Sequence, residues 1–350
     1  MSRLPYCYYL LKGTHPFRVL ELHRKYGPVV RIAPDELAFA DPAAWKDVMG
    51  SEFEKWPKFY RPVAGLGTTD IVFSSRQEHG LLRRQLAHGF SDRSMREQQP
   101  LIGQHINLLM QRLREKCGNG TEALNLADWY NFTTFDVIGD LAFGESFGCL
   151  ENSDYHPWVK AIFELGFVGT FFQAACHYPL LQSLILSLVP KSAMKRREQH
   201  LEFTRAKLRK RMDLGQDRPD LIESLLKKKD ELGLTMEKLE NNTSLLIIGG
   251  SETTATLLSG VTYLLLMNPE ALESLTQEVR SAFSSESEID LLSVGRLTYM
   301  LACLDEALRM YPPVPLGLPR LVPPGGSMVA GRFVPEKVCP RSQSRYRKST

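Results

Sequence analysis

One apolar segment with a polar centre restricts the fold of this chain more than any other feature. Residues 245–267 read LLIIGGSETTATLLSGVTYLLLM. An acidic residue in the middle of a membrane helix costs roughly 2.5–3.5 kcal/mol on insertion scales, so Glu252 argues against a transmembrane span. Gly249 and Gly250 each cost about 1 kcal/mol relative to alanine inside a helix. The segment therefore predicts a long helix of a globular protein, over residues 235–267.

The polar centre of this helix has two interpretations. Small residues let another molecule approach the backbone closely, and a threonine hydroxyl can bond to the carbonyl one turn earlier and bend the helix. Thr253 would reach Gly249 in this way, leaving a groove with the Glu252 carboxyl at its edge. Such a groove suits proton delivery to a small ligand in a dry pocket. The alternative is a core helix that is merely kinked.

The rest of the chain predicts a mainly α fold with a small β portion near both ends. Val29–Ala33 and Glu36–Ala40 have the composition of two short strands that form a hairpin. Residues 312–335 are rich in proline and glycine and predict extended backbone and turns. Because strands come from both ends of the chain, we expect one domain over residues 1–336. Helical spacing covers residues 17–26, 77–88, 100–116, 126–143, 158–172, 191–212, 221–229, 235–267, 269–283 and 298–311.

Composition excludes several classes of function. The 350 residues carry a net charge of +3, with no acidic or basic half of the kind that nucleic-acid-binding proteins have. The six cysteines are far apart, and no Cys/His spacing predicts a zinc site. The apolar patch at residues 5–11 is too short to cross a bilayer. These features predict no transmembrane segment, and hence a cytoplasmic or peripheral protein with reduced thiols.

The polar centre of the long helix also carries a family resemblance. Residues 249–254, GGSETT, match the oxygen-binding helix motif of cytochromes P-450, which reads Ala/Gly-Gly-x-Asp/Glu-Thr-Thr/Ser. The chain resembles this family of haem-thiolate monooxygenases. The resemblance implies that Glu252 and Thr253 manage protons during O–O bond cleavage. It also implies that Gly249 and Gly250 lie beside the haem, the expected cofactor.

A second motif follows in the order that the family shows. Glu306 and Arg309 lie three residues apart on a predicted helix, so the two side chains can pair. By itself this spacing is typical of an ordinary surface pair worth about 0.2–0.5 kcal/mol. The following residues 310–320, MYPPVPLGLPR, strengthen the resemblance. It implies a buried structural ion pair near the haem, and an Arg320 that reaches a haem propionate.

A third motif lies upstream, where His79 and Arg83 are four residues apart on a predicted helix. Without its context the segment is typical of a basic amphipathic helix. In company with the other motifs, the resemblance implies that both side chains bind haem propionates, which are natural partners of arginine and histidine.

Two further segments, residues 25–37 and 135–144, resemble filamentous-fungal members of the family. Such members hydroxylate or epoxidise small lipophilic secondary metabolites. The resemblance implies that dioxygen is the co-substrate and that the partner, NADPH-cytochrome reductase, supplies the electrons. It also implies that the endoplasmic-reticulum membrane is the usual location.

The family's chemistry depends on an axial cysteine thiolate, which favours O–O cleavage. The family's ligand loop, Phe-x-x-Gly-x-Arg-x-Cys-x-Gly, is absent, and the context of Cys339 does not fit it. We therefore expect a P-450 fold that is incomplete at the C-terminus, with no metal ligand. Residues 337–350 predict a divergent, basic, disordered tail. The alternatives to a monooxygenase are a truncated pseudoenzyme with exposed apolar surface and poor stability, or a non-catalytic binding protein.

Residues 191–211 are strongly basic. They predict either a solvated helix face or a surface that contacts an anionic membrane. Aromatic residues are sparse in this segment, which argues against nucleic-acid binding.

Overall fold

The computed structural model describes residues 2–50, 53–60, 70–178, 180, 183, 191–215 and 218–342, without the side chains of residues 161–168, 191–197 and 200. The chain divides into two compact units. The mixed unit comprises Met1–Gly67, Glu164–Pro190 and Val314–Thr350, and the helical unit comprises Thr68–Phe163 and Lys191–Pro313. The prediction of a single domain over residues 1–336 stays a prediction.

Helices dominate, as the sequence predicts. They are α1 (Leu4–Leu11), α2 (His15–Tyr26), α3 (Ala43–Met49), α4 (Pro57–Tyr60), α5 (Arg76–Gly89), α6 (Asp92–Lys116), α7 (Leu126–Phe143), α8 (Cys149–Asn152), α9 (Pro157–Ala175), α10 (Lys191–Asp213), α11 (Glu223–Lys227), α12 (Met236–Leu266), α13 (Pro269–Ala282) and α14 (Thr298–Met310). The strands are β1 (Val29–Ala33), β2 (Glu36–Phe39), β3 (Glu54–Lys55), β4 (Arg320–Leu321), β5 (Ser327–Val329), β6 (Arg332–Val334) and β7 (Cys339–Ser342).

The mixed unit contains small sheets. The predicted hairpin is confirmed as β1 and β2, which pair antiparallel with Val30 opposite Ala38. Strand β7 joins the other edge of β2 in a parallel register, and β3 pairs with β4. A small core that includes Phe39, Val48 and Val329 is buried between these elements.

Strand β7 corrects the predicted disorder after residue 336. Residues 339–342 are ordered because Arg341 is fully buried and donates to the Glu36 carboxylate at 2.5 Å and to the Tyr6 hydroxyl at 3.0 Å. Its guanidinium also lies 4.9 Å from the centre of the Phe59 ring. A basic residue that reads as solvated in the sequence is therefore part of the core. Residues 343–350 lie outside the described residues.

The helical unit is built on the packing of α12 against α7. Its core contains the fully buried Phe135, Phe143 and Ile247. The turn after α7 is fixed by Asp136, whose buried carboxylate accepts hydrogen bonds from the backbone amides of residues 147, 149 and 150. Within the segment 135–144, Asp136 therefore has a structural role: its carboxylate holds the turn that follows α7.

The start of α6 differs from the prediction. The helix begins at Asp92 rather than at Pro100, with the Ser91 hydroxyl accepting from the Ser94 amide. Pro100 lies inside the helix, where a proline typically costs about 3 kcal/mol. The buried Gln98 donates to the Gly89 carbonyl at 2.9 Å and ties this turn to α5. Tertiary contacts therefore override the local signal at Pro100.

Some basic residues of the segment 191–211 form ion pairs with acidic residues of the helical unit. Lys207 lies 2.6 Å from Glu145, and the buried Arg211 pairs with the buried Asp220. This part of α10 is therefore held by ion pairs to neighbouring elements. The side chains of residues 191–197 lie outside the described residues.

Candidate functional site

The polar centre of α12 forms the local arrangement that the sequence predicts. The Thr253 hydroxyl donates to the Gly249 carbonyl at 2.6 Å. A methyl group built at Gly249 would have no neighbour within 4 Å, so this turn of the helix faces open space. A helix face without side-chain bulk and with a hydroxyl beside it can receive a flat ligand against its backbone.

Gly250 has a different role from the one expected. A methyl group at Gly250 would lie 2.7 Å from Cδ1 and 2.9 Å from Cγ1 of Ile138 on α7. Only glycine fits at this position, because α12 and α7 approach each other closely here. The adjacent glycines face in different directions, because successive residues of an α-helix point about 100° apart. The structure places Gly249 on the open face and Gly250 in the helix–helix interface.

Glu252 lies beside this open face. Its carboxyl makes no hydrogen bond or ion pair with the residues that the structure describes. The side chain is exposed overall, yet desolvation by the surrounding protein raises the pKa of the carboxyl above its ordinary value. A carboxyl with a raised pKa holds a proton nearer to neutral pH and can pass it on.

His79 and Arg83 project from the same face of α5, as their spacing predicts. His79 is partly buried, whereas Arg83 is exposed and has no ion-pair partner within the described ranges. An unpaired guanidinium presents several donors in a planar fork, which is the geometry that binds carboxylates.

Arg320 belongs to the mixed unit, so its surroundings are described separately from those of α5 and α12. It lies on β4, opposite Lys55 of β3, with its guanidinium 5.9 Å from the centre of the Tyr60 ring. Its Nε is buried and has no hydrogen-bond partner in the described part of the chain. A buried donor without a partner costs roughly 1–3 kcal/mol, which favours an acceptor such as a carboxylate at this position.

Tyr60 is a neighbour that the sequence did not indicate. Its hydroxyl is also buried without a partner among the described atoms, and burial raises its pKa. Its proximity to Arg320 depends on the pairing of β3 with β4, which joins residues far apart in sequence. No local pattern could have revealed it.

The Glu306–Arg309 pair is formed, but not in the buried setting that was expected. Arg309 Nε donates to Glu306 Oε2 at 2.6 Å. The Glu306 side chain is 57% exposed, since the described residues leave this side of α14 uncovered. In this chain the pair is therefore a solvent-screened surface contact of small energetic value.

The predicted exposed apolar surface is present on the same elements. Tyr263 and Leu266 near the end of α12 are 63% and 65% exposed, and Leu301 and Leu308 on α14 are each 41% exposed. Both helices therefore expose large apolar side chains among the described residues.

Two of the cysteines lie in surroundings that disfavour the thiolate form. Cys339 is fully buried in β7, where desolvation, followed by the nearby Glu36 and Asp35 carboxylates, raises the thiol pKa. Burial also raises the pKa of Cys303 on α14. In the described ranges, no group of three or more His, Cys, Asp or Glu side chains could hold a metal ion.

These observations fit haem in part. In the helical unit, the unpaired Arg83 can bind a carboxylate and the turn at Gly249 is open to a flat ligand. In the mixed unit, taken by itself, the orphaned Nε of Arg320 can also bind a carboxylate. Cys339 does not suit the axial position of haem. None of the described helices is both long and apolar enough to span a bilayer.

Comparison with known proteins gives the family. The family model for Cytochrome P450 matches residues 2–338. The chain is 46% identical over 341 residues to cytochrome P450 monooxygenase astA of Talaromyces wortmannii, which covers 95% of this chain and 68% of that protein. It is 46% identical over 338 residues to averantin hydroxylase of Dothistroma septosporum, which covers 96% and 64%, respectively.

Trichothecene C-15 hydroxylase of Fusarium sporotrichioides is 45% identical over 341 residues, which covers 96% of this chain and 69% of that protein. The chain thus spans about two thirds of the length of these curated fungal relatives. The match extends through the GGSETT motif, the His79/Arg83 helix and the Glu306/Arg309 helix, in one order. The chain therefore belongs to the cytochrome P450 family of monooxygenases.

Proposed function

We propose that this chain provides the oxygen-side helix and the propionate-binding residues of a haem monooxygenase that hydroxylates a lipophilic secondary metabolite. The observation that carries the proposal is the open turn of α12. There, Thr253 donates to the Gly249 carbonyl, and the Glu252 carboxyl stands beside it without a partner among the described residues. The names of two relatives, averantin hydroxylase and trichothecene C-15 hydroxylase, support the reaction class.

The residues of the chain have separate roles in this proposal. Glu252 and Thr253 would hold and pass on protons at the open turn, a role that the raised carboxyl pKa of Glu252 suits. His79 and Arg83 of the helical unit would bind haem propionates, and Arg320 of the mixed unit would have the same role. The haem, when it is bound with its thiolate ligand, supplies the activation of dioxygen. Electrons come from NADPH-cytochrome reductase, and the whole enzyme works at the endoplasmic-reticulum membrane.

We further propose that the 350-residue polypeptide by itself binds haem weakly and does not turn over substrate. The supporting observation is that Cys339 is buried in β7 with a raised thiol pKa, so its sulfur is neither exposed nor readily ionised. The alternative function, a non-catalytic binding protein, shares this expectation. The two candidates differ in one expectation. A part of a haem monooxygenase should bind haem through Arg83 and Arg320, whereas a non-catalytic binding protein should not.

Haem titration of the purified chain separates these possibilities. We expect a saturable Soret change on adding haemin that weakens in Arg83→Gln and in Arg320→Gln. The matched control is Arg84→Gln, because Arg84 is the exposed neighbour of Arg83 on α5 and has been given no role. Equal haemin affinity in all of these proteins would contradict the assignment of the propionate-binding residues.

The axial position is tested by the reduced carbon-monoxide difference spectrum of the same sample. We expect no thiolate-type band in this chain, and an unchanged spectrum in Cys339→Ala. A thiolate-type band that disappears in Cys339→Ala would overturn the proposal that Cys339 is not the ligand.

A further inference from the structure

A groove in the helical unit lies apart from the residues discussed above. Its volume is about 580 Å³, and it lies between the first half of α6 and residues 289–294. Pockets of roughly 300–1,000 Å³ are typical for small organic ligands. The aliphatic part of the lining includes Ile102, Ile106, Ile289, Leu291 and Val294.

Four polar side chains of this groove lack partners among the described residues. Arg96, Gln99, Gln104 and Asn107 line it, and none makes a hydrogen bond or ion pair with the described residues. They provide one guanidinium and three primary amides, all of which can donate hydrogen bonds. Arg96, Gln104 and Asn107 are exposed, so their donors are accessible to a ligand.

Other polar side chains of α6 behave differently. Arg93 pairs with Glu97 at 3.0 Å, and Arg112 pairs with Glu115 at 2.7 Å. Arg96 differs from these two arginines of the same helix, because it lines the groove and has no carboxylate partner among the described residues.

One carboxylate, that of Asp290, does line the groove. Its Oδ1 accepts from the backbone amides of Leu292 at 2.8 Å and Ser293 at 2.7 Å. These bonds fix Asp290 as the cap of its own turn, and it forms no pair with Arg96. The positive charge of Arg96 is therefore left for another anion.

The backbone of α6 also leaves room in the groove. Pro100 has no N–H, so the Arg96 carbonyl lacks its usual helical donor. A side chain at Gly103 would meet nothing within 4 Å, which means that the groove is open above this residue.

We propose that this groove binds an amphiphilic carboxylate, with the carboxylate on Arg96 and an aromatic or aliphatic body against the isoleucine and leucine wall. None of the lining residues is among those assigned to haem binding or proton transfer. This would be a second ligand site in the helical unit. Because Arg96 binds the carboxylate, the site should prefer a negatively charged ligand to a neutral one of the same shape.

The test uses 2-naphthoate as the probe and the purified full chain, with binding measured by calorimetry. We expect saturable one-site binding, and weaker binding of the neutral 2-naphthamide. Arg96→Gln should weaken naphthoate binding by about two- to five-fold, the range for an exposed ion pair. Gly103→Leu, which fills the open space, should abolish saturable binding. Circular dichroism shows whether each variant is folded.

Arg93→Gln is the matched control, because it removes an arginine from the same helix outside the groove. We expect its naphthoate affinity to equal that of the unmodified chain. Two results would overturn the proposal: unchanged affinity in a folded Gly103→Leu protein, which would place the probe on the exposed apolar surface, or no saturable binding up to millimolar naphthoate.

Discussion

The two adjacent glycines of α12 provide a matched test of how this helix is packed. Alanine at either position gains about 1 kcal/mol of helix propensity. At Gly249 the new methyl group meets open space, whereas at Gly250 it lies 2.7 Å from Cδ1 of Ile138. Overpacking of a core typically costs 1–3 kcal/mol. The gain in helix propensity is the same for both variants and cancels when they are compared. The overpacking term remains, so Gly250→Ala should be less stable than Gly249→Ala by about 1–3 kcal/mol.

The measurement is urea unfolding of both variants, followed by far-ultraviolet circular dichroism. Ile138 is β-branched and therefore stiff within α7, so it cannot easily rotate away from the new methyl group. The variant Ile138→Val removes the Cδ1 atom, and in that background the difference between the two alanine variants should shrink.

A difference in unfolding free energy below about 0.5 kcal/mol between the two variants would refute the assignment of Gly250 to the helix–helix interface. Independent mutational effects add only within about that margin, so a smaller difference would show no overpacking. A difference that persists unchanged with Ile138→Val would show that another contact limits the space.

Three further predictions concern other parts of the chain. Arg341→Met should lower the free energy of unfolding by about 1.5–3 kcal/mol in urea titrations, because it removes one of the two arginines that pair with the buried Glu36 carboxylate and leaves only Arg3; if the loss is under 1 kcal/mol, β7 does not hold the mixed unit. Burial and then the charge of Arg3 lower the pKa of His177 to about 4 from 6.5, so only the unfolded chain takes up this proton between those pH values. Stability should therefore fall as the pH drops from about 6.5 to about 5, with a shallower slope in His177→Gln, and equal slopes would refute the effect. Thr253→Ala should leave haemin affinity within about two-fold and change stability by about 0.5 kcal/mol or less, because among the described residues the hydroxyl bonds to its own helix alone; a large loss of haemin affinity would show a direct contact.

Local patterns in the sequence were sufficient for the elements that are stabilised by near neighbours. The hairpin of β1 and β2, the limits of α7 and the bond from Thr253 to Gly249 all follow from contacts within a few residues. The spacing of His79 and Arg83 likewise requires only that α5 be a helix. The family resemblance rests on these same short motifs, and the match over residues 2–338 confirms it.

Tertiary structure alone decided which face of each element is covered. Gly249 and Gly250 are identical in sequence terms, yet only Gly250 has Ile138 against it. Arg341 reads as part of a basic tail, but Glu36 and Tyr6, more than 300 positions away, bury it. Glu306 pairs with Arg309 as predicted and nevertheless remains exposed. The physical reason is that a side chain's energy depends on its distant neighbours, since burial and desolvation are properties of the assembled core rather than of the local sequence.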